Sequence, residues 1–307
     1  MNDKYLFTVP ENKKIKVIID SDVRNESDDQ FAIVHALMTP MFDVRGIIAT
    51  HFGHDRIQDS MEASWEELQK VLTHSGWLGK VPAVKGSPTW LTKDKGFYSE
   101  CKPFDNDGVR LIIQEALSCK PGEKLRVAVL GPMTNVASAL LLEPAIEDKI
   151  LVVWNGGGVY PHGGPEFNLT NDIVAANIVL SSKMEVWQIP TKVYAAPRVS
   201  LAEMQYKVYP CGEIGKYLFQ QTIEFLELMK DAQDWPRPES LDICDLCVIG
   251  LMMEEHRYCY TYHQAPFIGN DMYYRTEPSN RPIRVYEEID ARYILEDFFA
   301  KLAINYR

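Results

Sequence analysis

Short apolar runs alternate along the chain with segments in which apolar positions recur at helical spacing. Runs of about four to eight apolar residues behave as buried strands and a 3.6-residue period as amphipathic helices, so the pattern predicts βα units around a mainly parallel sheet. Strands are expected at residues 16–20, 44–50, 81–84, 125–130, 150–154 and 185–189. Helices are expected at 28–38, 60–73, 108–118, 135–142, 172–180, 214–229, 245–255 and 290–302. In the first helix Phe31, Val34, Leu37 and Met38 share a face, Ser27 and Gln30 are placed as a capping box, and Pro40 is the stop. Loops rich in Gly and Pro are expected at 86–104, 156–165, 234–240 and 264–282. No repeat or linker divides the chain, so the expectation is one α/β domain over residues 1–307, an open Rossmann-like sheet flanked by helices.

Within that pattern the segment VIIDSDVRNESDDQFAIVHAL, residues 17–37, places four aspartates and a glutamate on one strand-to-helix turn. Like charges at this density need open water or a cation between them. Asp20 and Asp22 stand two apart at the carboxyl end of a strand, so in extended geometry their side chains share one side. Asp28 and Asp29 open the helix, where the dipole favours negative charge. Being adjacent, they point about 100° apart and cannot serve identical roles. One can bind a cation while the other binds a neutral ligand beside it. An oxygen-only donor set suits Ca²⁺ or Mg²⁺ rather than zinc. The plain alternative is a capped helix with a solvated acidic face. D-S-D-V also fits the nucleophile strand of Mg²⁺-dependent haloacid-dehalogenase-type phosphatases, though that leaves Asp28 and Asp29 unexplained. An EF-hand starting at Asp20 fails, because Asn25 and Phe31 occupy the positions that need Gly and Glu.

Composition narrows the partners. The chain has 46% hydrophobic residues and a formal net charge of −11, with no basic run, which argues against nucleic acid and anionic membranes. No apolar run approaches the roughly 20 residues needed to span a bilayer, and the N-terminal stretch lacks a signal core, so a cytoplasmic protein is expected. The six cysteines are scattered, as free thiols in a reducing compartment would be. Cys244 and Cys247 form a C-x-x-C without the second pair that a zinc site needs.

Residues 150–180, ILVVWNGGGVYPHGGPEFNLTNDIVAANIVL, join an apolar strand, a Gly-rich turn and E-F-N followed by Asp and A-A. With Leu130-GPMTN-Val136, Glu143-Pro144, a D-x-D...D-D-x-x-A pattern ending at Ala32 and the tail IDARYILEDFF, they resemble the nucleoside hydrolase family. The resemblance implies Ca²⁺-dependent hydrolysis of the N-glycosidic bond of a ribonucleoside by a homodimer or homotetramer. It assigns Asp22 as a Ca²⁺ ligand and as general base on metal-bound water. Asp29 becomes the main bidentate ligand, Asp28 the partner of the ribose 2′-hydroxyl, and Asp20 a support for the turn. The Leu130 carbonyl supplies another metal oxygen, and Glu166 and Asn168 hydrogen-bond the ribose hydroxyls. The last metal ligand is an Asp opening a late helix. Asp242 and Asp245 both qualify, and Asp245, directly before the apolar stretch, is preferred.

Three departures from the family pattern matter. Five residues, Val-Arg-Asn-Glu-Ser, separate Asp22 from Asp28 where the commoner turn has three, so Asn25 or Glu26 is expected to reach the ligand. His51-Phe-Gly-His54 replaces the usual Gly-Asn after GIIAT, which makes His54 a candidate substrate contact. Cys244 stands where many relatives carry a His that protonates the leaving base. Help for the leaving group must then come from His54, His162 or an aromatic such as Trp154, Tyr160, Trp235 or Tyr258, each of which could equally be a packing residue. His35, between apolar neighbours, reads as structural. Two rival readings stand beside the hydrolase: the phosphatase, and a ribose- or nucleoside-binding protein without turnover.

Overall fold

The computed structural model describes residues 4–92, 101–232, 235–254 and 258–307. Its first half runs β1 (Ile15–Ser21), α1 (Asp29–Met38), β2 (Phe42–Ala49), α2 (Ser60–His74), β3 (Ala83–Lys85), α3 (Asp107–Leu117), β4 (Leu125–Val129), α4 (Thr134–Leu142) and β5 (Ile150–Asn155). Next come α5 (Phe167–Asn171), α6 (Ile173–Ser181), β6 (Glu185–Ile189), α7 (Thr191–Tyr194), β7 (Arg198–Ser200), α8 (Leu201–Lys207) and α9 (Gly212–Leu228). The chain closes with β8 (Ser240–Asp242), α10 (Leu246–Met253), β9 (Tyr260–Gln264), β10 (Phe267–Ile268), β11 (Tyr274–Arg275), β12 (Pro282–Tyr286) and α11 (Ala291–Tyr306).

Eight strands form one sheet in the order β3-β2-β1-β4-β5-β6-β12-β9, parallel throughout except for β9 at one edge. The alternation of a strand sends Val17 and Ile19 into one apolar core and Ile18 into a second core on the opposite face. Both faces of β1 are therefore covered, which is why it reads as a continuous apolar run. Each such side chain contributes about 1.5–3 kcal/mol relative to exposure. From β1 the chain builds outward to β2 and β3, then returns to lay β4, β5 and β6 on the other side. This reversal opens a crevice beyond the carboxyl ends of β1 and β4, where ligands bind in open parallel sheets. Asp20 stands at that end, level with Ile48 of β2 and Val129 of β4.

The mainly parallel sheet flanked by helices is the architecture expected from the sequence. The third strand starts at Ala83 rather than residue 81, because Pro82 has no N–H to donate. Its carbonyl instead accepts from the Ile47 N–H at 2.9 Å. The short β10–β11 pair occupies the stretch 264–282 expected as loop, and the flanking β9 and β12 were not expected. Residues 93–100 of the loop expected at 86–104, Asp234 of the loop at 234–240, and Glu255 at the end of the helix at 245–255 lie outside the described residues. Among the described residues, no helix is long and apolar enough to cross a membrane.

All ten residues of α1 are buried, not only the expected face, because the helix runs between the sheet and the helices α10 and α11. His35 is structural: its Nε2 lies 2.7 Å from Asp297 Oδ2 of α11, the same oxygen that Lys301 Nζ approaches at 2.6 Å. This ion cluster sets the helix that carries Asp28 and Asp29. Asp297→Ala leaves the buried Lys301 charge without its carboxylate, so urea unfolding should show a loss of about 3 kcal/mol. Burial also lowers His35 from 6.5 to about 4. The unfolded chain then binds more protons between those values, and stability falls as pH drops through that window. His35→Gln should flatten that slope in denaturation midpoints measured at pH 7 and pH 5.

Candidate active site

The enlarged turn after β1 is held from within. Ser21 Oγ donates to Asp29 Oδ1 at 2.5 Å, and the Asn25 N–H donates to the Asp22 carbonyl at 2.8 Å. The expected capping box does not form. Asp28, not Ser27, precedes the helix and makes no side-chain cap, and Gln30 Nε2 turns back to the Val23 carbonyl at 2.8 Å. Freed from capping, the Asp28 carboxylate accepts from the Asp245 N–H at 3.3 Å, at the start of α10. Asp245 Oδ1 in turn accepts from Asn155 Nδ2 at 2.8 Å, at the end of β5.

Carboxylate oxygens of Asp28, Asp29 and Asp245 all lie within 4.8 Å of one another, and the three residues are buried. Around them is a cavity of about 60 Å³ also lined by Asp22, Glu26 and the Leu130 segment. Burial first, and then neighbouring carboxylates, push Asp22, Asp28 and Asp245 well above the ordinary carboxylate range. Burial likewise raises Asp29 to about 6 and Asp20 to about 7. Asp22 Oδ2 is buried without a hydrogen-bond partner. Converging carboxyl oxygens, one of them orphaned, fit a hard divalent cation in both charge and donor type. The trio contains Asp28 where the expected ligand set had Asp22, so both adjacent aspartates of the turn face the same centre.

Asp22 is positioned by a close approach. A Cβ on Gly131 would come 2.8 Å from Asp22 Cγ and Oδ1, so glycine after Leu130 leaves the carboxylate its space. The Leu130 carbonyl accepts from Asn168 Nδ2 at 2.6 Å, and the same nitrogen donates to the Asn155 carbonyl at 2.8 Å. The amide hydrogens of Asn168 are thus spent on the scaffold, leaving Oδ1 for a ligand hydroxyl. Glu166, expected to bind sugar, is the N-cap of α5. Its oxygens accept from the N–H groups of Gly157, Asn168 and Leu169 and from the Tyr194 hydroxyl, over 2.8–3.1 Å.

Asp20 sits beneath the turn and accepts from Asn135 Nδ2 at 2.8 Å, a supporting position. Asp242 is turned away into an ion pair with Arg198 at 2.6 Å, so Asp245 is the late aspartate that reaches the cavity. All six cysteines are free; Cys244 lines the cavity, and the Cys247 thiol donates to the Tyr194 carbonyl.

A family model described as inosine-uridine preferring nucleoside hydrolase matches residues 17–293. The chain belongs to this family. The pyrimidine-specific ribonucleoside hydrolase RihB of Escherichia coli is 25% identical over 235 residues, covering 69% of this chain and 72% of that protein. Among solved structures, the purine-preferring ribonucleoside hydrolase from Gardnerella vaginalis superposes with a TM-score of 0.73 at 21% identity, over 94% of this chain and 98% of that one. The plant nucleoside hydrolase PpNRh1 gives 0.73 at 17% identity, over 94% and 99%. Nucleoside hydrolases are metal-dependent N-glycosidases of ribonucleosides, so the phosphatase and binding-only readings fall away.

In this nucleoside hydrolase the structure does not bring His54 to the carboxylates. Its ring lies 2.6 Å from the Gln58 carbonyl and 3.1 Å from Thr89 Oγ1, in a neighbouring hollow beside Trp90. Asn25 does line the cavity. His162 is exposed, and Trp154 is buried with Nε1 donating to the Gly131 carbonyl. Tyr160 stacks on His263, Trp235 packs against Phe225, and Tyr258 lines a separate cavity. None of these aromatics lines the acidic cavity. Sequence reasoning missed Asn155 and Tyr194. A polar residue closing the apolar strand ILVVWN, at the same sheet end as Asp20, is the signal that marks Asn155; Tyr194 carries none.

Proposed function

We propose that this nucleoside hydrolase uses Ca²⁺, held by Asp28, Asp29 and Asp245 with Asp22 and the Leu130 carbonyl beside them, to cleave a ribonucleoside into base and ribose. The observation that carries the reading is the buried carboxylate trio with the orphaned Asp22 oxygen next to it. When bound, the cation lowers the pKa of water that it holds and orients the sugar hydroxyls.

Everything else falls to the chain. Asp22 takes the proton of the attacking water; its Oδ2 is buried and has no hydrogen-bond partner of its own in the chain. The carboxylates around the cavity stabilise positive charge that develops on the ribosyl ring as the C1′–N bond lengthens. Asn168 Oδ1 accepts from a ribose hydroxyl. Glu166, which lines the same cavity, positions Asn168 by accepting its main-chain N–H.

The names of the relatives divide between pyrimidine and purine nucleosides. The test therefore follows base and reducing-sugar release from a panel holding both classes, after chelation and after return of Ca²⁺ or Mg²⁺. Turnover restored by Ca²⁺ supports the reading; full turnover in the chelated protein overturns it.

A further inference from the structure

Asn25, Glu26 and Phe167 line the acidic cavity and are partly exposed where its aspartates are buried, so they stand at its rim, toward which the base of a sugar held by the aspartates points. The rim residues Asn25, Glu26 and Phe167 are all touched by one basic side chain. Arg56 Nη1 donates to the Asn25 carbonyl at 3.0 Å and to Asn25 Oδ1 at 2.8 Å. It lies 3.8 Å from Glu26 Oε1, and the guanidinium carbon stands 4.9 Å from the centroid of the Phe167 ring. Arg56 comes from the loop after β2, while Asn25 and Glu26 belong to the enlarged turn.

The same wall offers the departing base no cationic donor. Among the described residues no Lys, Arg or His lines the cavity, and its lining side chains are carboxylic acids, amides, Phe167, Leu130, Tyr194 and Cys244. His51 is buried and engaged with Thr134, and His54 is tied to Gln58 and Thr89.

We propose that Arg56 is the catalytic residue that receives the leaving base. This rests on the hydrolase reading of the site. As the C1′–N bond breaks, its electron pair goes to the base nitrogen and spreads onto the ring acceptors. The guanidinium donates N–H bonds to that anion, and hydroxide from water adds to C1′ as its proton goes to Asp22. The base then takes a proton from solvent. Arginine suits the step because it keeps its charge across the physiological range and offers a planar fork of donors. The Phe167 ring, 4.9 Å from the guanidinium carbon, holds that fork beside the cavity lining.

The experiment compares two leaving groups on Arg56→Ala, Arg56→Lys and the unaltered protein, all loaded with Ca²⁺. Ribonucleosides need help at the departing nitrogen, whereas p-nitrophenyl β-D-ribofuranoside releases a stable phenolate unaided. Arg56→Ala should lose about 100-fold or more in kcat/KM on ribonucleosides, the scale for removing one donor from a developing anion. Its rate on the p-nitrophenyl riboside should stay near that of the unaltered protein, which also shows that the variant is folded. Arg56→Lys keeps the charge without the fork and should fall between. Equal losses on both substrates would assign Arg56 only to holding the turn and overturn the proposal, as would undiminished ribonucleoside turnover. An unaltered protein inert on both substrates would instead strike down the hydrolase reading beneath it.

Discussion

Asp29→Ala is expected to abolish metal binding and to lower ribonucleoside turnover by more than about 100-fold, since even outer-shell partners of a metal are worth about 10–100-fold. Asp29 belongs to the buried trio, and its Oδ1 is aimed by Ser21. Without it, Asp28 and Asp245 lose the third carboxylate of the buried trio. Calorimetric titration of Ca²⁺ and metal analysis of the purified variant measure the loss directly. Unfolding is a poor explanation for it, because Asp29 adds to the repulsion on Asp22, Asp28 and Asp245. The chelated variant should therefore be at least as stable to urea as the chelated parent. Full metal content together with full activity in Asp29→Ala would defeat the assignment of the site.

Asp22→Asn is expected to separate binding from chemistry. The amide matches the carboxylate in shape, so it fits the space that Gly131 leaves open, and its oxygen remains a possible ligand. Metal content should persist because the trio is intact. What disappears is the capacity to accept a proton, and positioned general bases are worth about 100- to 10,000-fold. Steady-state kcat should fall within that range while substrate affinity changes little. Loss of metal alongside activity would place Asp22 among the essential ligands; unchanged kcat would remove it from the proton path.

Much of this centre was legible because charge and pattern coincided in β1 and its turn. An apolar run buried on both faces must end at the open edge of a parallel sheet, and Asp20, Asp22, Asp28 and Asp29 follow at that edge. Asp245 was legible for the same reason, as a charge set against an apolar helix. The capping role of Glu166 was not legible, because a carboxylate written beside an asparagine looks the same whether it meets a sugar or caps a short helix. Only the path of the chain shows four donors converging on it. The position of His54 was not legible either: residue type suggested chemistry, while the loop's own carbonyl holds the ring in a neighbouring hollow. Of the two unexpected strands, β9 is the sheet edge, where partial exposure permits Tyr, Thr and His in place of an apolar run, while β12 beside it is buried after Pro282 but has its apolar residues interrupted by Arg284.

The bond between the Asp245 N–H and the Asp28 carboxylate joins residues 217 positions apart. On a chain made from its N-terminus, the acidic turn is synthesised early and must wait for nearly all the rest before its last partner exists. A growing chain that has completed the sheet through β6 holds the repelling aspartates but not the third oxygen donor that makes them a cage. Bound metal would thus report that the chain has folded at least as far as the start of α10.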